Sequence, residues 1–149
     1  MQQDDLTKIK DKSILLIRNT KGNILNQFFW WLLRKGMNTE YNHCQLVRSF
    51  ESNKRLYICE STISGFHITR TLDQWIAEQK TMQRSFSVIN MGGFDEGRFY
   101  TILGNRYDAK YWTTLLKIYS GEKSTNCFQS IAYIFNLPNW WLATAKTFY

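Results

Sequence analysis

Apolar positions follow two rhythms along the chain. Ser13-Ile14-Leu15-Leu16-Ile17-Arg18 is a short continuous apolar run, which reads as a buried strand closed by the turn-like Asn19-Thr20-Lys21-Gly22-Asn23. Ile24, Leu25, Phe28 and Leu32, with Phe29 and Leu33 beside them, then recur at helical spacing. They predict a helix from Asn23 to Arg34 that ends near Gly36. Its stripe is expected to pack in the core; lying in a membrane interface is the other use of such a pattern. Strands are expected at His43 to Phe50, Arg55 to Glu60, Phe66 to Arg70 and Phe86 to Asn90, the first two joined by a polar hairpin loop, Glu51-Ser52-Asn53-Lys54. Thr71 reads as the cap of a helix with Leu72, Trp75 and Ile76 inward. Beyond Gly92-Gly93, Tyr107 to Tyr119 has helical periodicity through Tyr111, Leu115 and Ile118. Asn126 to Asn136 reads as a further helix, and the aromatic tail from Asn139 to Tyr149 as a short helix or extended cover. Strand, helix, antiparallel strands, then helices is an α+β order, and residues 1–149 suffice for a single domain with its own core.

Composition narrows the class. Six Trp, eight Tyr and ten Phe in 149 residues exclude a disordered chain. The longest apolar run, Phe28 to Leu33, is far short of the roughly 18 residues that span a bilayer. The polar, acid-bearing start (Met1-Gln2-Gln3-Asp4-Asp5-Leu6) does not read as a secretory signal, so a cytoplasmic or virion-associated location is expected. Nineteen Lys and Arg against twelve Asp and Glu leave a net charge of +7. The cations are scattered, with the tightest group at Lys8-Ile9-Lys10-Asp11-Lys12 and no zinc-finger, helix-turn-helix or RNA-reading motif. No specific nucleic-acid partner is therefore expected.

Three cysteines (Cys44, Cys59, Cys127), widely spaced and without CxxC, form neither a disulfide framework nor a zinc site. With two histidines and no HExxH, no metal or cofactor is implied, and a Cys–His nucleophilic pair is the remaining chemistry. A hairpin centred between Ser52 and Asn53 sets Gln45 beside Glu60 and puts His43 diagonal to it on one sheet face. There a carboxylate can accept a ring N–H and fix the tautomer. A satisfied polar pair in a sheet would account for the hairpin alone. Cys127 adds a second part, because Thr125 and Asn126 read as capping residues and place it in the first turn of a helix through Phe128, Ile131, Ala132 and Phe135. Partial positive charge and free N–H groups at that end lower a thiol's pKa and can hold an oxyanion. Alternation turns Cys44 away from His43 and Cys59 away from Glu60, so both read as small buried hydrophobes. His67, between apolar neighbours, reads as structural, and the indole pairs Trp30-Trp31 and Trp140-Trp141 as packing.

Taken in order, Tyr41-Asn42-His43-Cys44-Gln45-Leu46-Val47, the segment Tyr57 to Ile68, Gly104-Asn105-Arg106-Tyr107-Asp108, and Thr125 to Phe135 resemble the permuted papain-like amidases. These are the circularly permuted branch of the NlpC superfamily, of YiiX and YebB type. The resemblance runs from about Ser13 to Leu137. It implies a permuted papain-like fold with a small antiparallel sheet against a Cys-bearing helix, Cys127 as nucleophile, His43 as general base and Glu60 as the orienting residue. Tyr107, in the turn with Gly104 and Asp108, is implied near the active centre, and Tyr107 and Gln45 are expected at the substrate. Phe128-Gln129 stands where the family often has Ser-Glu, and Asn126-Cys127 is similar to the helix start of lipid-acting relatives. The expected function is a cysteine amidase or peptidase, with a peptide, a peptidoglycan-type bond or a lipid amide as substrate. Lipid acyl transfer or deacylation with peripheral membrane contact, and a non-catalytic module of a virion or envelope assembly, are the other two readings.

Overall fold

A computed structural model describes residues 6–18, 24, 27–28, 31, 34–35, 39–50, 54–62, 64–82, 84–104, 106–107, 124–125, 127–140 and 143–148. Its centre is a five-stranded antiparallel sheet. Strands β1 (Ile14–Arg18), β2 (His43–Ser49), β3 (Leu56–Thr62), β4 (Gly65–Thr71) and β5 (Ser85–Ile89) lie in the order β4-β3-β2-β1-β5. Helix α1 (Leu72–Met82) joins β4 to β5, while α2 (Glu96–Ile102) and α3 (Cys127–Ile134) follow the sheet. Two short segments, β6 (Arg106–Tyr107) and β7 (Ser124–Thr125), pair in parallel, with Tyr107 opposite Thr125. No helix among the described residues is long and apolar enough to cross a membrane.

β1 is an unbroken apolar run because both of its faces are covered. Ile14 and Leu16 join Cys44, Leu46, Cys59 and Phe66 beneath α2, α3 and the C-terminal segment. Leu15 and Ile17 join Val47, Ile58 and Phe86 beneath Trp75 of α1. The β2–β3 hairpin has the expected centre, since Leu46 pairs with Cys59 and Val47 with Ile58. α1 begins with a reciprocal cap: Thr71 N–H donates to Gln74 Oε1 (2.9 Å) and Gln74 N–H to Thr71 Oγ1 (3.3 Å). Ser61 and Ser130 hydroxyls, 2.9 Å apart, tie β3 to α3. The tail closes the α3 side with a 3₁₀ turn, Ala145–Phe148, whose Ala145 and Phe148 are buried.

Three elements differ from the sequence expectation. α2 was not anticipated, although Asp95 caps it by accepting from Arg98 N–H (2.9 Å) and Phe99 and Ile102 form its buried side. Tyr107 is extended in β6, not the start of a helix, and the rest of the expected Tyr107–Tyr119 helix lies outside the described residues. In the first expected helix, Ile24, Gln27, Phe28, Trp31, Arg34 and Lys35 are helical, but Ile24 and Phe28 are exposed and not core. Leu25, Phe29, Leu32 and Leu33 of that stripe lie outside the described residues.

At the far end of β2, Arg48 is buried beneath this sheet face. Its NH1 donates to both oxygens of Asp11 (3.1 Å) and its NH2 to both oxygens of Glu96 (2.9 Å). The guanidinium lies 4.5 Å from the Phe94 ring centre and 5.1 Å from that of Phe99. Gly93 sets the approach to α2: it has φ +89°, and a Cβ there would stand 2.9 Å from the Phe135 carbonyl oxygen. Gly93→Ala is therefore expected to cost about 2–3 kcal/mol in urea unfolding, through left-handed strain plus the clash. Gly92→Ala, whose Cβ would meet nothing within 4 Å, is the matched control and is expected to be nearly neutral. Equal losses at the two positions would overturn this account.

Candidate active site

His43 is the first residue of β2 and Cys127 the first of α3, and the two side chains meet at that end of the sheet. The β6–β7 pairing sets where α3 starts, because Thr125 is held in register only two residues before Cys127. Gly104, at φ +87°, donates its N–H to the Phe66 carbonyl (2.7 Å) and turns the chain from α2 toward β6.

Glu60 is the most tightly held group in the site. His43 Nε2 is 2.8 Å from its Oε2, and Gln45 Nε2 donates to the same oxygen at 2.6 Å. Thr69 Oγ1 donates to Oε1 at 2.9 Å, and Arg70 NH2 also binds Oε1. Four donors thus occupy both oxygens of one buried carboxylate. Burial opposes ionisation of Glu60, but the His43 hydrogen bond and charge, the Gln45 amide and Arg70 outweigh it and hold the carboxyl far below the usual range. A carboxylate can only accept, so His43 Nε2 carries the proton and Nδ1 is the ring nitrogen left for the thiol.

A β-bulge brings two of those donors in. Ile58 pairs with Arg70 but Cys59 with Ile68, so Thr69 is the extra residue of β4. Its hydroxyl turns toward the Ile58 carbonyl (3.3 Å) and Glu60. Arg70, also paired to Glu78, then reaches Glu60 from the edge strand.

Cys127 is 2% exposed. Burial alone would raise its pKa. It is outweighed by a hydrogen bond from the Cys44 thiol, the charge and hydrogen bond of His43, and the Cys44 backbone N–H, so the thiol is held well below the ordinary value. The imidazole is the other half of the pair. Its desolvation is overcome by the Cys127 thiolate, then by Glu60, and its pKa is raised to about 10. Burial and the neighbouring thiolate push Cys44 well up, and burial pushes Cys59 up to about 12. Of the three cysteines, only Cys127 is shifted toward the thiolate; Cys44 and Cys59 are shifted toward the thiol.

Cys127, His43 and Glu60 therefore come together as the sequence reading expects. Gln45 differs from its expected place at the substrate: it is buried, with Nε2 on Glu60 and Oε1 accepting from Trp75 Nε1 at 2.7 Å. It positions the carboxylate. Tyr107 lies on β6, and Asp108 is outside the described residues. His67 sits opposite Glu60 in the β3–β4 register, and its Nε2 has no hydrogen-bond partner among the described residues. Sequence reasoning missed Thr69 and Arg70, which only the bulge brings in, and Cys44 as a donor to Cys127. The side-by-side order His43-Cys44 was the one available signal for Cys44. No three His, Cys, Asp or Glu side chains among the described residues converge to hold a metal ion. No protein-family model, curated protein or solved structure matches the chain.

Proposed function

We propose that this protein is a cysteine hydrolase that cleaves an amide bond through an acyl-enzyme, on a fold of the permuted papain-like kind its motifs resemble. One observation carries the reading: a thiolate-favouring Cys127 at the head of a helix lies against a histidine whose far nitrogen is pinned to a four-fold-held carboxylate. The Cys127 sulfur attacks the substrate carbonyl carbon, and the developing oxyanion is met by the backbone N–H of Cys127. The His43 imidazolium gives its Nδ1 proton to the departing amine, leaving a thioester and a neutral ring. That ring then takes a proton from water as the water attacks the thioester. Collapse of the second tetrahedral intermediate releases the acid and restores the thiolate. Glu60 holds the ring orientation throughout. A peptide, including a peptidoglycan-type cross-bridge, is the proposed substrate class. Lipid deacylation or acyl transfer uses the same thioester and is the second reading, favoured by the exposed Ile24 and Phe28.

The test is the iodoacetamide alkylation rate of each cysteine against pH, in wild type and His43→Ala. Cys127 is expected to react at pH 6 more than about ten-fold faster than Cys44 and Cys59, since the thiolate is the nucleophile. His43→Ala is expected to remove that advantage. A Cys127 that titrates near 8.5 like a free thiol, or does not react, overturns the catalytic reading.

A further inference from the structure

We infer that Cys44 and Cys127 form a redox modification site, which hydrogen peroxide closes into a disulfide and a thiol reductant reopens. The fold brings the two together from distant parts of the chain. Cys44 is the second residue of β2, on the face that α3 covers, and Cys127 is the first residue of α3. The Cys44 thiol and the Cys44 backbone N–H both donate to the Cys127 sulfur. Both side chains are buried in one apolar cluster, at 0% and 2% exposure, so close packing keeps the sulfurs together. Both are free thiols in this structure.

The two sulfurs have complementary roles. Oxidation by peroxide needs a thiolate, and Cys127 is the one cysteine shifted toward it, while Cys44 keeps its proton. The Cys127 sulfur attacks one peroxide oxygen and the O–O bond breaks. The departing hydroxide takes the Nδ1 proton of the His43 imidazolium and leaves as water, and Cys127 becomes a sulfenic acid. The Cys44 sulfur then attacks the Cys127 sulfur, the S–O bond breaks, and the hydroxide leaves with the Cys44 proton as a second water. Peroxide has gained two electrons and the two sulfurs have lost them. The site opens to solvent at the His43 ring, whose side chain is 22% exposed. In the disulfide the Cys127 sulfur is no longer a nucleophile, so cleavage stops until a reductant restores it. Cys59 is the internal control. It pairs with Leu46 across the hairpin, and the charges that act on it are those of Arg48, Glu60 and Asp11. The switch rests on the same Cys127 thiolate as the proposed function, but on no substrate.

Hydrogen peroxide treatment followed by peptide mapping without reductant tests the assignment, because the three cysteines fall in separate tryptic peptides. Wild type is expected to lose two hydrogens in mass and to join the Cys44 and Cys127 peptides. Dithiothreitol is expected to open that link, and Cys59 to remain a thiol throughout. Cys44→Ser, close in size, is expected to form no link. Its Cys127 sulfenic acid has no resolving thiol and goes on to sulfinic acid, so dithiothreitol recovers at least about ten-fold less Cys127 thiol than in wild type. The wild-type map decides the matter even where Cys44→Ser does not fold. Cys127 alkylation at pH 6 before peroxide reads the thiolate separately. Fast alkylation without a Cys44–Cys127 link overturns this proposal and leaves the catalytic reading standing. A reversible link with slow alkylation upholds the pair and overturns the catalytic reading. Unchanged thiols, over-oxidation of wild-type Cys127, a link through Cys59 or a link between two copies each overturn the proposal.

Discussion

Glu60→Ala is expected to lower the unfolding free energy by about 3 kcal/mol at neutral pH, because it strips partners from several buried donors at once. His43 Nε2, Gln45 Nε2 and Thr69 Oγ1 all converge on this carboxylate. Arg70 keeps Glu78 and part of its contact with water, which places the cost at the low end for a broken buried pair. The loss has a pH signature. The folded protein holds Glu60 ionised far below the ordinary carboxylate range, so the unfolded chain takes up the proton first. The carboxylate's contribution is whole above about pH 5, and it is lost as pH falls through the unfolded value near 4.3 toward the folded one. Wild type and variant are therefore expected to differ most in stability near neutrality and to converge in acid. Urea unfolding at a series of pH values measures this. A gap of constant size down to the acid limit would mean that the residue's packing, and not its charge, stabilises the fold. The same variant is expected to slow Cys127 alkylation, since a ring no longer held at Nε2 presents Nδ1 to the thiol less often.

Arg48→Ala is expected to cost about 3 kcal/mol, and Arg48→Met distinctly less. The guanidinium fills space between Phe94 and Phe99, so its removal leaves a cavity and forfeits three cation–ring contacts, with Phe94, Phe99 and Phe50. Its partners Asp11 and Glu96 are 38% and 51% exposed at the side chain, and water replaces much of what they lose. Most of the cost is thus packing, which a methionine thioether partly restores against the same rings. Denaturant midpoints of the two variants against wild type decide the matter. Equal losses would show that charge carries the interaction, and a neutral Arg48→Ala would remove Arg48 from the core altogether.

Much of this architecture is legible in the sequence. The short apolar run Ile14–Ile17, closed by a turn-like segment, reads as a buried strand. The polar break at residues 51–54 set the hairpin centre, from which the Gln45–Glu60 neighbourhood follows by strand geometry. Thr71 and Gln74 have the three-residue spacing of a cap, and Cys127 opens an apolar helix. α2 has a weak signature in the sequence because its apolar side is short and two glycines precede it, although Asp95 stands at its head. Around Ile24 the periodicity points to core but Ile24 and Phe28 are exposed, because periodicity reports that a helix has an apolar face and not what covers that face.

The sequence by itself therefore determined the succession of strands along the chain, the β2–β3 hairpin, the α+β class, and the placing of Cys127, His43 and Glu60 on elements able to meet. These depend on local periodicity, capping and hairpin register, each encoded within a few neighbouring residues. The order of the strands in the sheet, with β1 between β2 and β5, came from the tertiary structure. Tertiary structure alone decided how the carboxylate is held. The bulge after Ile58 shifts β4 so that Thr69 and Arg70 turn onto Glu60, and Trp75 fixes Gln45 from another element. It likewise decided that Arg48, a charged residue in a strand, lies buried under two aromatic rings, and that Cys44 donates to Cys127. Bulges, buried ion pairs and thiol contacts arise between segments far apart in the chain. Their energies depend on distance and burial, which a linear pattern does not contain.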